Sequence, residues 1–580
     1  MSTKPRPHVA SRLLHSRQQS ALVRCLSAAL LALTSVTAHA LAGETDTTFA
    51  TGVGRYAFAF SGATGPDARA LAVQPDGKII IAGGCHNGSD SDFCVARLTA
   101  NGALDSTFVG PAGTAAGKFL LPVGTGNDGA VAVALQPDGR IILAGTCSVG
   151  GVNNFYFCLA RLQSDGSLDA SFNGPDAAGT GEGAGHGRFT LSITGNGPES
   201  LAALTVQPDG KILVAGSCSP ATVSLFCVAR LNPNGSFDSS FNGPDAAGSG
   251  VGNGQGRFAF RVGTGGNSAT AMTVQPDGKI IVVGSCQAGA TAVDFCAARL
   301  MASDGRFDVA FDGGDNIVQL NGNGKVVIAI TTGSSNDFAS AVAVRPDGMI
   351  YIVGSCSNGS NYDFCGTRLE PDTGRKRIFY ATGFASFTQP VGGADDFATG
   401  LLFQPDGKFI ITGQCQNGTI YQFCAARFLS DGGLDASFDG GTLTRSGRFL
   451  LPPILADDHG NAAALQTYAS VSASANYQND NRLLIAGRCT QGTTNFFCVT
   501  RLQLGENGAQ QCALDIDGDG RMLATVDGLI ATRLMLGIRG PAVIAGISFP
   551  PAATRGNWPA IQRYLSSQCG VALSPDLASQ

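Results

Sequence analysis

Near one end of the chain three aspartates alternate with other residues in the run DIDGDGR: Asp515, Asp517 and Asp519, followed at once by Gly520. Carboxylates this close repel one another unless a cation sits among them, and an all-oxygen set of this kind suits a hard cation, calcium above all. Gly520 allows the turn that gathers them, Arg521 can offer its carbonyl, and Asp527 is the next acid along the chain. A plain acidic surface turn is the alternative reading of the same residues.

Cysteine is the second group with evident chemistry. Of 17 cysteines, Cys25 lies in a leader-like segment, and fourteen others fall in seven pairs. The pairs are Cys85 with Cys94, Cys147 with Cys158, Cys218 with Cys227, Cys286 with Cys296, Cys356 with Cys365, Cys415 with Cys424 and Cys489 with Cys498. An even count at regular spacing in a chain with an export signal reads as a disulfide framework. Zinc is the alternative, but the members stand nine to eleven residues apart and no histidine accompanies them regularly. Each bridge would close a loop of about ten residues, for on the order of 2–3 kcal/mol. Cys512 and Cys569 remain and pair with each other by elimination.

Catalytic constellations do not stand out. Beyond the leader only His86, His186 and His459 occur, far apart, and neither H-E-x-x-H nor G-x-S-x-G is present. The aspartates of the recurring P-D-G (Asp76, Asp138, Asp209, Asp277, Asp347, Asp406) read as turn residues, as do those of L-D-x-S-F, such as Asp169 and Asp435. The phenylalanine before each second cysteine, from Phe93 to Phe497, reads as core. A single tryptophan, Trp558, gives no basis for a Trp-lined sugar groove.

The elements that carry these residues repeat. VQPDGKIIIAGGC (73–85) recurs as LQPDGRIILAGTC (135–147), VQPDGKILVAGSC (206–218), VQPDGKIIVVGSC (274–286), VRPDGMIYIVGSC (344–356), FQPDGKFIITGQC (403–415) and YQNDNRLLIAGRC (477–489). The copies start 59 to 74 residues apart, the length of one supersecondary unit. RYAFAF (55–60), ARALAVQ (68–74), GKIIIAGGC (77–85) and DFCVARL (92–98) read as four strands of the first unit, with Q-P-D-G-K as a tight hairpin turn. KIII is apolar without alternation, as expected where both sheet faces are covered. Seven four-stranded units with no helix between them predict an all-β fold, a seven-bladed β-propeller. A straight solenoid is the competing architecture. The fragment ETDTTF (44–49), a unit's tail without its head, favours a closed ring.

These phrases, with D-F-x-x-A-R-L and G-x-L-D-x-S-F in fixed order over roughly residues 44 to 504, resemble the delta-60 repeat family of bacterial secreted proteins. The resemblance implies a propeller and a secreted setting, and no settled reaction. DIDGDGRMLATVDGLIATRLMLG (515–537) resembles one half of a dockerin, an EF-hand-like calcium loop followed by a helix. It would place Asp515, Asp517 and Asp519 at loop positions 1, 3 and 5, Gly520 at 6 and the Arg521 carbonyl at 7. The closing acid, Asp527, falls at position 13 instead of 12. A dockerin has two such loops, and here the second is missing. Val526, Leu529, Ile530, Leu534 and Met535 recur at helical spacing beside the loop.

The expected organisation is a signal peptide (1–40), a propeller (41–508) and a small α-helical calcium-binding module (509–580), stapled by Cys512–Cys569. Residues 1–24 carry five basic side chains and no acid, CLSAALLALTSV (25–36) is apolar but too short to span a bilayer, and Ala38-His39-Ala40 ends it. Without that leader, 33 basic residues face 43 acidic ones, which argues against a nucleic-acid surface. No later segment reads as a membrane span. The expectation is a secreted protein (extracellular, cell-surface or periplasmic) that binds or scaffolds a protein or glycan at the cell surface. Its C-terminal module would dock on its own propeller or on a partner. An extracellular polysaccharide-degrading enzyme and a purely structural exoprotein are the alternatives. Non-reducing peptide mapping should find the seven pairs plus Cys512–Cys569 and no free thiol; a bridge between two units would break the unit assignment.

Overall fold

The computed structural model describes residues 42–504 apart from 112–116, 151–154, 175–185, 196, 221, 244–249, 253–255, 288–291, 314–322, 332–334, 380, 382, 441–445 and 467–481. Beyond these it describes 526–535, 540–549 and 561. Seven antiparallel sheets succeed one another. The first blade runs, from the inside out, Thr64–Val73, Ile79–His86, Ser91–Leu98 and Lys118–Leu121. Five more repeat this order, and the third adds the short strand Gly250–Gly252 outside Arg257–Phe260. The inner strands pack side by side, and Thr64–Val73 packs on Asp457–Gln466 of the last blade, so the ring is closed. It is a seven-bladed propeller, not a solenoid.

The units are offset by one strand from the sequence reading. Arg55–Phe58, expected to open the first unit, pairs with Thr494–Gln503 and is the outer strand of the seventh blade. Each outer strand is only three or four residues long and lies nearer in sequence to the next blade's inner strand than to its own neighbour. Distance along the chain therefore misassigns it. The cysteine strands are consequently the second and third of each blade, and the disulfides clamp the middle hairpin, not the outer one.

All seven expected bridges within the propeller form, with Cα atoms 5.7–5.9 Å apart. The two cysteines of a pair are not directly opposed. Cys286 faces Asp294 while Cys296 faces Gly284, so the bridge runs diagonally across the twisted pair. That facing glycine has its own cause. Every inner strand shifts register near its start, as between Ala269 and Ala271, and the bulge drives a carbonyl into the second strand. A Cβ on Gly284 would lie 2.0 Å from the Ser268 oxygen, and one on Gly354 1.9 Å from that of Phe338. Only glycine fits, which is why the repeated phrase ends in G-x-C. The residue between them often joins blades: Ser217, Ser285 and Ser355 each accept the next blade's backbone N–H (Ala269, Ala339, Ala398) at 3.1 Å.

The core lies between blades. Ile80 packs with Phe93, Phe108 and Leu143 toward blade two, whereas Ile79 and Ile81 pack with Leu484 and Val499 of blade seven. The unbroken apolar run KIII thus serves two interfaces. The turns behave as read: Gly77 has φ +81°, Gly77 N–H donates to the Gln74 carbonyl at 2.8 Å, and Asp76 Oδ1 accepts the Lys78 N–H at 3.1 Å.

The L-D-x-S-F aspartates do more than turn the chain. Arg97, on the third strand, is buried; its Nε donates to Asp105 Oδ2 at 2.8 Å and its Nη2 to Thr107 Oγ1 at 3.0 Å. Its guanidinium lies 4.5 Å from the Phe108 ring centre, and its Nη1 reaches the Ser164 carbonyl of the next blade. The same node recurs at Arg161–Asp169, Arg230–Asp238, Arg299–Asp308 and Arg427–Asp435. Blade five departs from it: Arg377 stands in the aspartate's place, and Arg368 donates to the carbonyls of Arg377 and Ile378. In blade seven Arg501 finds Asp46 at 2.8 Å, with Thr48 and Phe49, so the N-terminal fragment completes the ring. The described C-terminal residues contain the helix Asp527–Met535 and the turn Gly540–Ile544, joined by Arg533 Nη1 donating to the Val543 and Ala545 carbonyls at 2.9 and 2.8 Å.

Asp46 is fully buried and also meets Arg482 Nε at 2.8 Å. Asp46→Ala would leave the buried Arg501 guanidinium without its carboxylate and remove one partner of the half-buried Arg482, so urea denaturation should show a loss of about 3–5 kcal/mol. Glu370→Ala removes the exposed Arg377–Glu370 pair and should cost less than about 1 kcal/mol.

Candidate functional site

Six inner strands open on a buried polar side chain that seals the crossover from the preceding blade. Asp128 Oδ2 accepts the N–H groups of Val123 and Gly124 at 2.8 and 2.7 Å, and Asp337 Oδ2 those of Ile330 and Thr331 at 2.8 and 2.9 Å. Glu199, Asp396 and Asp458 act likewise, and in blade four Asn267 makes the same bonds to Val262 and Gly263. Blade one has Pro66 there. The next residue stands at the face bearing the second-to-third-strand hairpins. It is Gly129, Ser200 and Ser268 in blades two to four, but Phe338, Phe397 and His459 in blades five to seven.

On that second half the hairpins add Tyr362 and Tyr421, and the rings form a row. Consecutive centres are 5.8 Å apart for Phe338–Tyr362, 5.7 Å for Tyr362–Phe397, 6.3 Å for Phe397–Tyr421 and 5.0 Å for Tyr421–His459. Phe338 is 39% exposed and the others are half-buried, so the row is held by the fold yet meets solvent. Carboxylates fix it from between the blades. Asp395 Oδ1 accepts the Tyr362 N–H at 3.0 Å and Asp457 Oδ1 the Tyr421 N–H at 2.7 Å. Asp457 Oδ2 meets His459 Nε2 at 3.0 Å, and His459 Nδ1 meets Gln414 Oε1 at 2.9 Å, so the imidazole is clamped at both ends. Partial burial, then the charges of Asp395 and Asp457, push the Tyr421 phenol above its usual range, keeping it a neutral donor. An aromatic row flanked by fixed oxygens can stack a flat apolar face and hydrogen-bond its polar edges.

The aromatic arc was not anticipated. Its signal was in the sequence, at the position after the crossover acid, where the copies stop agreeing. A recess of about 350 Å³ on the opposite face, between Val73–Pro75, Leu135–Pro137 and Leu465, is by contrast lined by the repeat's own turn residues.

The residues singled out from sequence are dispersed. Asp515, Asp517, Asp519, Arg521, Cys512 and Cys569 lie outside the described residues, as does the leader. Asp527 begins the helix Asp527–Met535; Val526, just before it, and Ile530, on it, are buried. Among the described residues no group of three or more His, Cys, Asp or Glu side chains is placed to hold a metal, and no helix is long and apolar enough to cross a membrane. His86 is an exposed residue at the end of the strand Ile79–His86, and its Nδ1 accepts the Gly88 N–H at 3.0 Å. The seven phenylalanines before the second cysteines, from Phe93 to Phe497, are core.

Five stretches, residues 74–108, 136–172, 207–241, 275–311 and 404–438, match the family described as "Domain of unknown function (DUF5122) beta-propeller". The chain is a β-propeller repeat protein. The unmatched blades are the fifth and seventh, the first and last of the aromatic arc. No curated protein matches the chain. Among solved structures it is similar to the polysaccharide lyase Uly1 (11% identity, 81% of this chain and 98% of that one, TM-score 0.37). It is also similar to Sqt1 of Chaetomium thermophilum (12%, 81% and 100%, 0.35) and to the calcium-binding protein regucalcin of Agrobacterium tumefaciens (11%, 62% and 87%, 0.27). At these levels the likenesses say nothing about ligand or reaction.

The crossover acids make stability depend on pH. Burial outweighs the two N–H bonds and raises the Asp128 and Asp396 carboxyls from 3.8 to about 6. Burial would also raise Asp105 and Asp435, but hydrogen bonds from Thr107 and Ser437 and the charges of Arg97 and Arg427 outweigh it and lower both to about 2. The raised pair binds protons more tightly when folded, so its contribution is present below 3.8 and lost as pH rises through about 6. The lowered pair contributes above 3.8 and loses this as pH falls through about 2. From these four groups the thermal midpoint should therefore peak near pH 3.8, the shared unfolded value. Asp396→Asn, which copies Asn267, should flatten the fall on the alkaline side; an unchanged slope would show that Asp396 titrates normally.

Proposed function

We propose that the protein is secreted and works outside the cytoplasm as a binding or scaffolding propeller, holding its ligand on the aromatic arc. The observation that carries this reading is the break in sevenfold repetition at one solvent-facing position, aromatic only in blades five to seven. Elsewhere the repeat conserves what its own packing requires; Phe338, half-exposed Tyr362 and Tyr421 answer no such requirement. Seven local disulfides suit an oxidising compartment. The leader-like residues 1–40 support the same placement.

The second element of the proposal is a calcium-dependent C-terminal segment. Asp515, Asp517, Asp519 and the Arg521 carbonyl would hold the ion, with Asp527 closing the set, and the adjoining helix would dock on the propeller or on a surface component. The buried Val526 and Ile530 support a helix with an apolar contact face. Neither element requires catalysis.

Three measurements bear on the proposal. N-terminal sequencing of exported protein should begin at Leu41. Calorimetry on residues 41–580 should show one calcium bound, lost in Asp517→Ala; no heat in either protein removes the calcium element. Fluorescent residues 41–580 should be retained on the producing cells or their extracellular matrix, and Phe397→Ala with Tyr421→Ala should cut retention about tenfold. Equal retention of the double variant would refute the arc as the binding surface. Turnover of the retained material, lost in His459→Ala, would instead make the protein an enzyme.

A further inference from the structure

We infer that the arc recognises an extended, uncharged carbohydrate chain; this rests on the binding role proposed above and names its ligand class. The rings follow one another at 5.0–6.3 Å over three blades, from Phe338 to His459, so the site is a row of stacking surfaces and not a single pocket. A row fits a polymer whose units each present a flat C–H face. An isolated aromatic cage would fit one small ligand.

The polar groups separate a sugar from an apolar partner. Asp395 and Asp457 stand between the rings, each anchored through one oxygen to a hairpin N–H; the second oxygen of Asp457 meets His459 Nε2, and His459 Nδ1 meets Gln414 Oε1. A dry protein interface laid over the row would have to strip water from Asp395 without replacing its hydrogen bonds, which is costly for a charged group. Sugar hydroxyls replace them directly, because each can donate to a carboxylate or to Gln414 Oε1 while its ring lies on an aromatic face. The arc and a polyhydroxylated chain match in both respects at once.

Charge narrows the class further. The acids sit within the row, and the arginine beside it, Arg488, is the cross-strand partner of His459 at the row's last ring. Uronate or sulfate groups along a bound chain would face the Asp395 carboxylate at close range, which is repulsive, while Asp457 is paired with His459. A neutral hexose chain meets no such penalty.

The test uses residues 41–580 and titration calorimetry with neutral β-linked glucan and mannan hexasaccharides, beside an oligogalacturonate of equal length. A neutral chain should bind, and Phe397→Ala and Tyr421→Ala should each weaken it about tenfold with an unchanged thermal midpoint. Phe384→Ala, 70% exposed in the loop between the third and outer strands of blade five and so on the opposite face, should leave it unchanged. Binding of the galacturonate in preference to the neutral chains overturns the inference. So does neutral-chain binding that Phe397→Ala and Tyr421→Ala leave intact. If no oligosaccharide binds while the arc variants still abolish retention on cells, the carbohydrate assignment falls and the binding role stands. If cell retention is also unaffected by the arc variants, both fall.

Discussion

In six of the seven blades a buried guanidinium holds the blade to its own return loop and to the blade that follows. Arg97 illustrates it: one side chain pairs with Asp105, bonds Thr107, stacks on Phe108 and donates to the backbone carbonyl of Ser164 in the next blade. Arginine suits this node and lysine does not, because a planar fork can serve three hydrogen-bonding partners while its face covers an aromatic ring. Burying a charge costs free energy that is recovered only if every donor is used, so the node also fixes the angle between neighbours. Repeated round the ring, that angle determines that the seventh blade meets the first.

The inner strand adds a second constraint. Its bulge forces a glycine, the glycine faces the second cysteine, and the first cysteine then lies on the diagonal. Three features that look separate in the repeated phrase thus follow from one displaced carbonyl. Hydroxyls at Ser217, Ser285 and Ser355 show how a position between two fixed residues becomes available for inter-blade bonding.

Much of this was legible in the sequence, and what was missed has identifiable physical causes. The repeats, the P-D-G turns, the cysteine partners and ring closure through ETDTTF could all be read, because each depends on local spacing. Strand assignment slipped by one, since Arg55–Phe58 pairs with a strand more than four hundred residues away. Asp105 was read as a turn residue because its bond to Thr107 is local, whereas its ion pair with Arg97 exists only once two strands are side by side. The arc escaped notice because attention went to positions where the copies agree. Phe338, Phe397 and His459 matter because there they do not.

Closure by the N-terminal fragment orders the folding of the chain in time. Each disulfide spans only 9 to 11 residues, so it can form as soon as its own hairpin exists, whatever the rest of the chain is doing. The contact between Asp46 and Arg501 spans almost the whole propeller and cannot form until the last blade is present. A chain emerging from a narrow pore can therefore oxidise blade by blade with little opportunity for wrong pairing between blades, and then close as a ring in a single late step. Until that step Arg55–Phe58 leaves the third strand of blade seven without its outer neighbour. That gap can be filled by the same segment of another chain, and domain-swapped dimerisation is the characteristic failure of a ring sealed in this way.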